Sequence, residues 1–96
     1  MTSSPVTHDQ QQHRFELQLD EGLALLEYKL RRDELALVHT EVPPSRRGQG
    51  IGAQLVEAAL RYAKSRNLKV IPDCPFVRSY LADHRGYDKI TKRESA

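Results

Sequence analysis

Arg46-Arg47-Gly48-Gln49-Gly50-Ile51-Gly52 lies between an extended stretch that ends at Val42 and an apolar-periodic stretch that begins at Ile51. The first N–H groups of a helix lack intrahelical partners, and the helix dipole places positive potential on them. A basic, glycine-punctuated loop at such a helix start is therefore an anion cradle, because glycines let the backbone approach the ligand closely. Two common phosphate loops do not fit the letters. A Walker loop needs Gly-Lys followed by Ser or Thr, whereas Gly52 is followed by Ala53 and Gln54. A dinucleotide fingerprint needs a third glycine, and Gly48-Gln49-Gly50 is followed by Ile51, Gly52 and Ala53. The plain alternative is a tight turn with a glycine that permits helix-to-sheet packing; the paired arginines weigh against it.

Upstream of the loop, Phe15, Leu17 and Leu19 alternate with Arg14, Glu16, Gln18 and Asp20, the period of a half-buried strand. Asp20-Glu21-Gly22 reverses the chain. Leu23 to Arg31 carries Ala24, Leu26, Tyr28 and Leu30 on one face, and Arg31-Arg32-Asp33-Glu34 forms the next turn. In Leu35 to Val42, strict alternation puts Leu35 and Leu37 on one side and Ala36, Val38, Thr40 and Val42 on the other. Three antiparallel strands are thus expected before Pro43-Pro44, which end the pairing because neither has an N–H to give.

Downstream, Ile51, Leu55, Ala58, Ala59, Tyr62 and Ala63 recur at three- and four-residue steps, the stripe of an amphipathic helix from about Gly50 to Arg66 with Asn67 as its C-terminal cap. Leu68-Lys69-Val70-Ile71 reads as a short strand ended by Pro72, parallel to the third strand because a helical crossover joins them. A second helix is expected from Pro75, a residue suited to the first helical position, to about Asp83. The predicted fold class is α+β: a four-stranded, mostly antiparallel sheet with one parallel pair, and two helices.

The 96 residues leave room for one domain with a thin core. Residues 1–12, with Ser3, Ser4, Pro5 and the Gln10-Gln11-Gln12 run, have too little apolar surface to offset their ordering entropy and are expected to form a loose tail. The domain is expected over 13–90, with 91–96 frayed. A formal net charge of +2 with no aromatic-interleaved basic stripe argues against a nucleic-acid partner. One cysteine rules out an internal disulfide, and no Cys/His spacing reads as a metal site. No apolar run has the length of a membrane span and no secretory h-region is seen, so a cytoplasmic protein is the default expectation. A thin core leaves both monomer and homodimer open.

The spacing Arg47-x-x-Gly50-x-Gly52 resembles the coenzyme A pyrophosphate loop of the GCN5-related N-acetyltransferases, Q/R-x-x-G-x-G/A. The element order is similar to the core half of that fold, and closest to its minimal single-domain members. The resemblance runs from about His13 to Lys89 and is strongest over His39-Thr40-Glu41-Val42-Pro43, Arg47 to Gly52, and Ile71-Pro72-Asp73-Cys74-Pro75-Phe76-Val77. Larger members carry a further helical region after their first strand, for which Phe15 to Arg31 leaves only a turn. The resemblance implies acetyl-CoA as cosubstrate, an amine acceptor, and a splay between the strands flanking the long helix in which the pantetheine arm lies. It also implies that Glu41 and Val42 offer backbone hydrogen bonds to that arm, while Arg46, Arg47, Gly48, Gln49, Gly50, Ile51 and Gly52 take the diphosphate.

Acetyl transfer to an amine needs a neutral nucleophile, a stabilised oxyanion and a proton for the departing thiolate. Cys74 stands before Pro75 at an expected helix start, where a dipole lowers a thiol pKa, and the family's cysteine falls in this same segment. It is a candidate acyl acceptor or proton donor, although Asp73 beside it opposes thiolate formation and a lone cysteine is commonly a small buried hydrophobe. His39 and Glu41 are two apart on a strand and share a face, and histidine is the side chain whose charge changes nearest neutral pH. Both are candidate proton-transfer residues; Tyr80, on the second helix, is a weaker one for which packing is the more ordinary role. The leading function is acetyl-CoA-dependent N-acetylation, direct or through Cys74. The alternative is a noncatalytic coenzyme A-binding module, and a third is a basic protein-interaction domain.

Overall fold

The protein is described here by a computed structural model covering residues 5–92; the expectations for residues 1–4 and 93–96 lie outside the described residues. Strands β1 (Thr7–Asp9), β2 (Arg14–Leu19), β3 (Gly22–Arg31), β4 (Glu34–Glu41) and β5 (Lys69–Pro72) form one sheet in sequence order. Neighbouring strands are antiparallel except β4 and β5, which are joined through helix α1 (Ile51–Ser65) and run parallel. Helix α2 (Pro75–Asp83) follows β5. Pro75 occupies its first turn, as its fixed φ favours. Among the described residues no helix is long and apolar enough to cross a membrane.

The sheet has five strands rather than four, and the added one comes from the stretch that composition assigns to the tail. Thr7–Asp9 pairs with Arg14–Glu16, and His8 stacks on Phe15 with ring centroids 4.2 Å apart. His8 also meets Tyr62 of α1 edge-on at 4.6 Å and places Nε2 2.5 Å from the Tyr28 hydroxyl. Tertiary aromatic contact thus orders residues whose own apolar content is low. At the other end Thr91 bridges to Val70, and the Lys92 N–H donates to the Val70 carbonyl at 2.7 Å, so 91 and 92 are held to the sheet.

α1 lies across one face of the sheet and is also packed against α2 and the tight helical segment Arg85–Ile90. Being covered twice widens its buried stripe. Val56 and Leu60 are fully buried alongside Ile51, Leu55, Ala59 and Ala63, whereas Ala58 and Tyr62 are half-buried. Asn67, at φ 56°, adopts the left-handed conformation just beyond the helix, and the Leu68 N–H reaches back to the Ala63 carbonyl at 2.8 Å.

Strict alternation fails at one place in β4. Tyr28 pairs with Leu37 and Glu27 with His39, which leaves Val38 as an extra residue in the ladder. Such a bulge turns the residues after it to the opposite faces. Thr40 therefore lies opposite fully buried Leu26 on the helix-covered face, not with Ala36 as the sequence pattern predicts. His39 and Glu41 fall opposite Glu27 and Leu25, on the other face.

Candidate functional site

The parallel pairing of β4 with β5 runs only from Glu34↔Lys69 to Leu37↔Pro72. One more rung follows, the Cys74 N–H to the Leu37 carbonyl at 2.9 Å, and the bulge at Val38 comes immediately after it. β4 continues to Glu41 while the other chain turns into α2, so the two part. A cleft of about 640 Å³ opens there, with His39, Thr40, Glu41 and Val42 along one side. Ile51, Gly52 and Ala53 at the start of α1, Phe76 on α2, and Arg46, Arg47, Gly48 and Gly50 of the preceding loop complete its lining.

The α1 start has the features of an anion cradle. Gly50 is its N-cap in the left-handed conformation, and no side chain caps the helix. Gly48 and Gly50, at φ 79° and 81°, have nothing within 4 Å of the place a Cβ would occupy, so the backbone faces open space. The Arg47 Nε donates to the Val42 carbonyl at 3.4 Å, tying the loop to the end of β4. Arg46 donates through Nε to Gln49 Oε1 at 2.7 Å and through Nη1 to Glu21 Oε1 at 3.0 Å. That bond to Arg46 holds the Glu21 carboxyl below its ordinary range. Glu21, which the sequence presents only as a turn residue, thus braces the loop from the β2–β3 connection.

The three catalytic candidates do not form one cluster. His39 and Glu41 are joined, Nε2 to Oε2 at 3.1 Å, with side chains 52% and 63% exposed on the cleft rim. Cys74 belongs to the core: it is 5% exposed and does not line the cleft. Its Sγ lies 3.3 Å from Thr40 Oγ1, and Thr40 does line the cleft. Burial pushes the thiol up, but the Thr40 hydroxyl and the amides of Val77, Phe76 and Thr40 favour the thiolate more, and the net position is below the ordinary cysteine value. Cys74 is the N-cap residue of α2 but makes no side-chain cap hydrogen bond to it. Arg78 fixes this junction by donating through Nη1 to the Pro72 carbonyl at 3.1 Å and the Asp73 carbonyl at 2.8 Å. Tyr80 is turned elsewhere: its hydroxyl donates to Glu57 Oε2 at 2.8 Å and its ring stacks on His84, centroids 3.9 Å apart. Burial and that bond push its pKa well above the usual tyrosine range, and it is not among the residues that line the cleft.

Thr40, Phe76, Arg78 and Glu21 are the site neighbours that sequence reading passes over. Only Phe76 carries a signal, an apolar residue in the first turn of a helix beside the cysteine. The others depend on a bulge or on contacts between elements distant in sequence.

A mostly antiparallel sheet whose one parallel pair splays beside an uncapped, arginine-flanked helix start defines an acetyltransferase-type domain. The chain belongs to the GCN5-related N-acetyl-transferase family, whose pattern it matches over residues 14–90. It is similar to the protein NATD1 of Mus musculus, 35% identical over 83 residues that make up 82% of this chain and 74% of that one. The NATD1 of Homo sapiens is 34% identical, with 82% and 73% covered. A GCN5-like protein from Staphylococcus aureus, solved by NMR, superposes with a TM-score of 0.76 at 26% identity over 99% of this chain and 94% of its own.

Proposed function

We propose that the protein is an acetyl-CoA-dependent N-acetyltransferase acting on an amine. The observation that carries this reading is a single cleft running from the uncapped start of α1 to the unpaired end of β4. Acetyl-CoA supplies an activated acyl carbon and a thiolate leaving group. The amides of Gly48, Gln49, Gly50, Ile51 and Gly52, with Arg46 and Arg47, hold the diphosphate by oriented N–H groups and charge-assisted bonds. Glu41 and Val42 hydrogen-bond through their main chains to the pantetheine amides, which add as a further strand where β5 has left β4.

His39 accepts the proton of the attacking amine. Its Nε2–H donates to Glu41 Oε2, which fixes the tautomer and leaves Nδ1 as the acceptor. Cys74, whose sulfur lies 3.3 Å from the hydroxyl of cleft-lining Thr40, is the acyl acceptor or the proton donor to the departing thiolate. A noncatalytic coenzyme A-binding module is the second reading, favoured by one observation: the Cys74 sulfur does not line the cleft.

Two measurements separate these readings. Calorimetric titration with acetyl-CoA is expected to show one-to-one binding, and silence at millimolar ligand removes both. Thiol release and acetylated product from a panel of amines are expected for the transferase; binding without product selects the second reading. Cys74→Ala and Cys74→Ser are expected to lose turnover while retaining coenzyme affinity, and full activity in both eliminates the relay and the proton-donor roles together.

A further inference from the structure

Phe76 is 43% exposed, and the only other large apolar side chain that open among the described residues is Leu30 of β3, which pairs with Leu35 near the start of β4. Its ring is nevertheless seated. A Cβ built on Gly52 stands 2.6 Å from Phe76 Cζ and 2.8 Å from Cε2, closer than real Cβ contacts allow. Gly48 and Gly50 have positive φ, but Gly52 does not, so glycine at 52 answers a need for space rather than for backbone conformation. That space is filled by the Phe76 ring.

The seat lines the cleft, and Phe76 stands two residues beyond the buried thiol. Two cleft-lining residues adjoin Cys74: Thr40, through its hydroxyl 3.3 Å from Sγ, and Phe76, two residues on in the first turn of α2. Thr40 is fixed by strand pairing to Leu26. Of the two, Phe76 is the one with a bulky side chain open to the cleft.

We propose that Phe76, seated on Gly52, is the specificity-determining residue of the cleft: its ring bounds the passage to the Cys74 sulfur and admits only small reactive groups. Its meaning for acyl selection rests on the transferase reading, but the screening of the thiol is a property of the protein alone. The ring acts as a sieve by filling the space that glycine leaves at position 52.

Cys74 is the one cysteine in the chain, so its alkylation is read without ambiguity by intact mass. The rates of modification by iodoacetamide and by the bulkier N-phenylmaleimide are measured across pH, which separates a change of access from a change of thiolate fraction. In Phe76→Ala the maleimide rate is expected to rise by about tenfold or more relative to wild type, and the iodoacetamide rate by clearly less, because each tenfold step reflects a barrier removed. Phe76→Leu, which keeps bulk on the Gly52 seat, is expected to retain the wild-type ratio of the two rates. An unchanged ratio in Phe76→Ala overturns the proposal. So does an equal rise in the Ala and Leu variants, which marks loosening of α2 rather than removal of a ring. Calorimetry with acetyl-CoA on the same proteins keeps the two readings apart: absent binding removes the transferase while the alkylation ratio still decides the sieve.

Discussion

One strand, β4, lives in two environments. Its first half, Glu34 to Leu37, is paired on both sides, and Leu35 and Leu37 are fully buried. Its second half, His39 to Glu41, is paired only with β3, and both His39 and Glu41 face solvent. The closed region continues through β3 and β2 to β1 and is capped by α1 and the rings of His8, Phe15, Tyr28 and Tyr62. The open region is the cleft. One bulge at Val38 marks the border between the two.

Substitution in the closed region has the largest expected effect. Leu26→Ala removes a fully buried side chain and is expected to cost about 2–5 kcal/mol, read as a fall in the urea midpoint. For a chain with a thin core that is a large share of its stability. Retention of the wild-type midpoint contradicts the assignment of the core to this side.

Charge reversal in the open region is expected to act on binding instead. Arg47→Glu should weaken coenzyme A by about 1.5–3 kcal/mol, roughly ten- to hundredfold, because charge-assisted bonds are replaced by repulsion. Its unfolding free energy is expected to stay within about 0.5 kcal/mol of wild type, as for exposed sites generally. Equal losses of stability and affinity erase the distinction between the two regions.

The contrast also explains what sequence reading reaches. β2, β3, β4 and both helices are legible because their apolar residues repeat at two or at three and four; Pro43 and Pro44 follow β4, Pro72 closes the short strand β5, and Pro75 opens α2. β1 is not, since Thr7-His8-Asp9 has no apolar alternation and is ordered by rings that arrive from β2, β3 and α1. The arginines and glycines of the loop stand at the start of α1 as their letters indicate. Thr40 beside Cys74 was illegible for a definite reason: alternation assigns it to the outer face, and only the unpaired Val38 brings it round. The Phe76 seat on Gly52 depends on two helix starts meeting, and Glu21 on a turn reaching a loop 25 residues away.

A smaller effect sharpens the border itself. Thr40→Val keeps the shape of the side chain but removes a hydrogen bond worth about 1 kcal/mol, and the Cys74 thiol is expected to titrate at higher pH. The pH dependence of iodoacetamide modification reads this directly, and an unmoved midpoint removes Thr40 from the thiol's environment.

The smallest effect belongs to the far edge. Burial and, after it, the Arg66 charge lower the His8 pKa, while Asp9 opposes and His13 adds slightly to the shift. The unfolded chain therefore binds this proton more readily than the folded one, so stability present above the ordinary histidine pKa is lost as pH falls through it toward the lower folded value. Wild type is expected to lose more stability between pH ~7.5 and ~5 than His8→Phe does, within the range where histidine titrates. Parallel losses in both proteins dismiss His8 as the tie of β1.

The most direct measurement is an NMR titration of the amide resonances with coenzyme A. The Gly48, Gly50, Ile51 and Gly52 amides are expected to shift most, together with Val42, while those of β1 and β2 stay in place. Absence of shifts at millimolar coenzyme, or shifts centred away from the start of α1, contradicts the cradle and the transferase built on it.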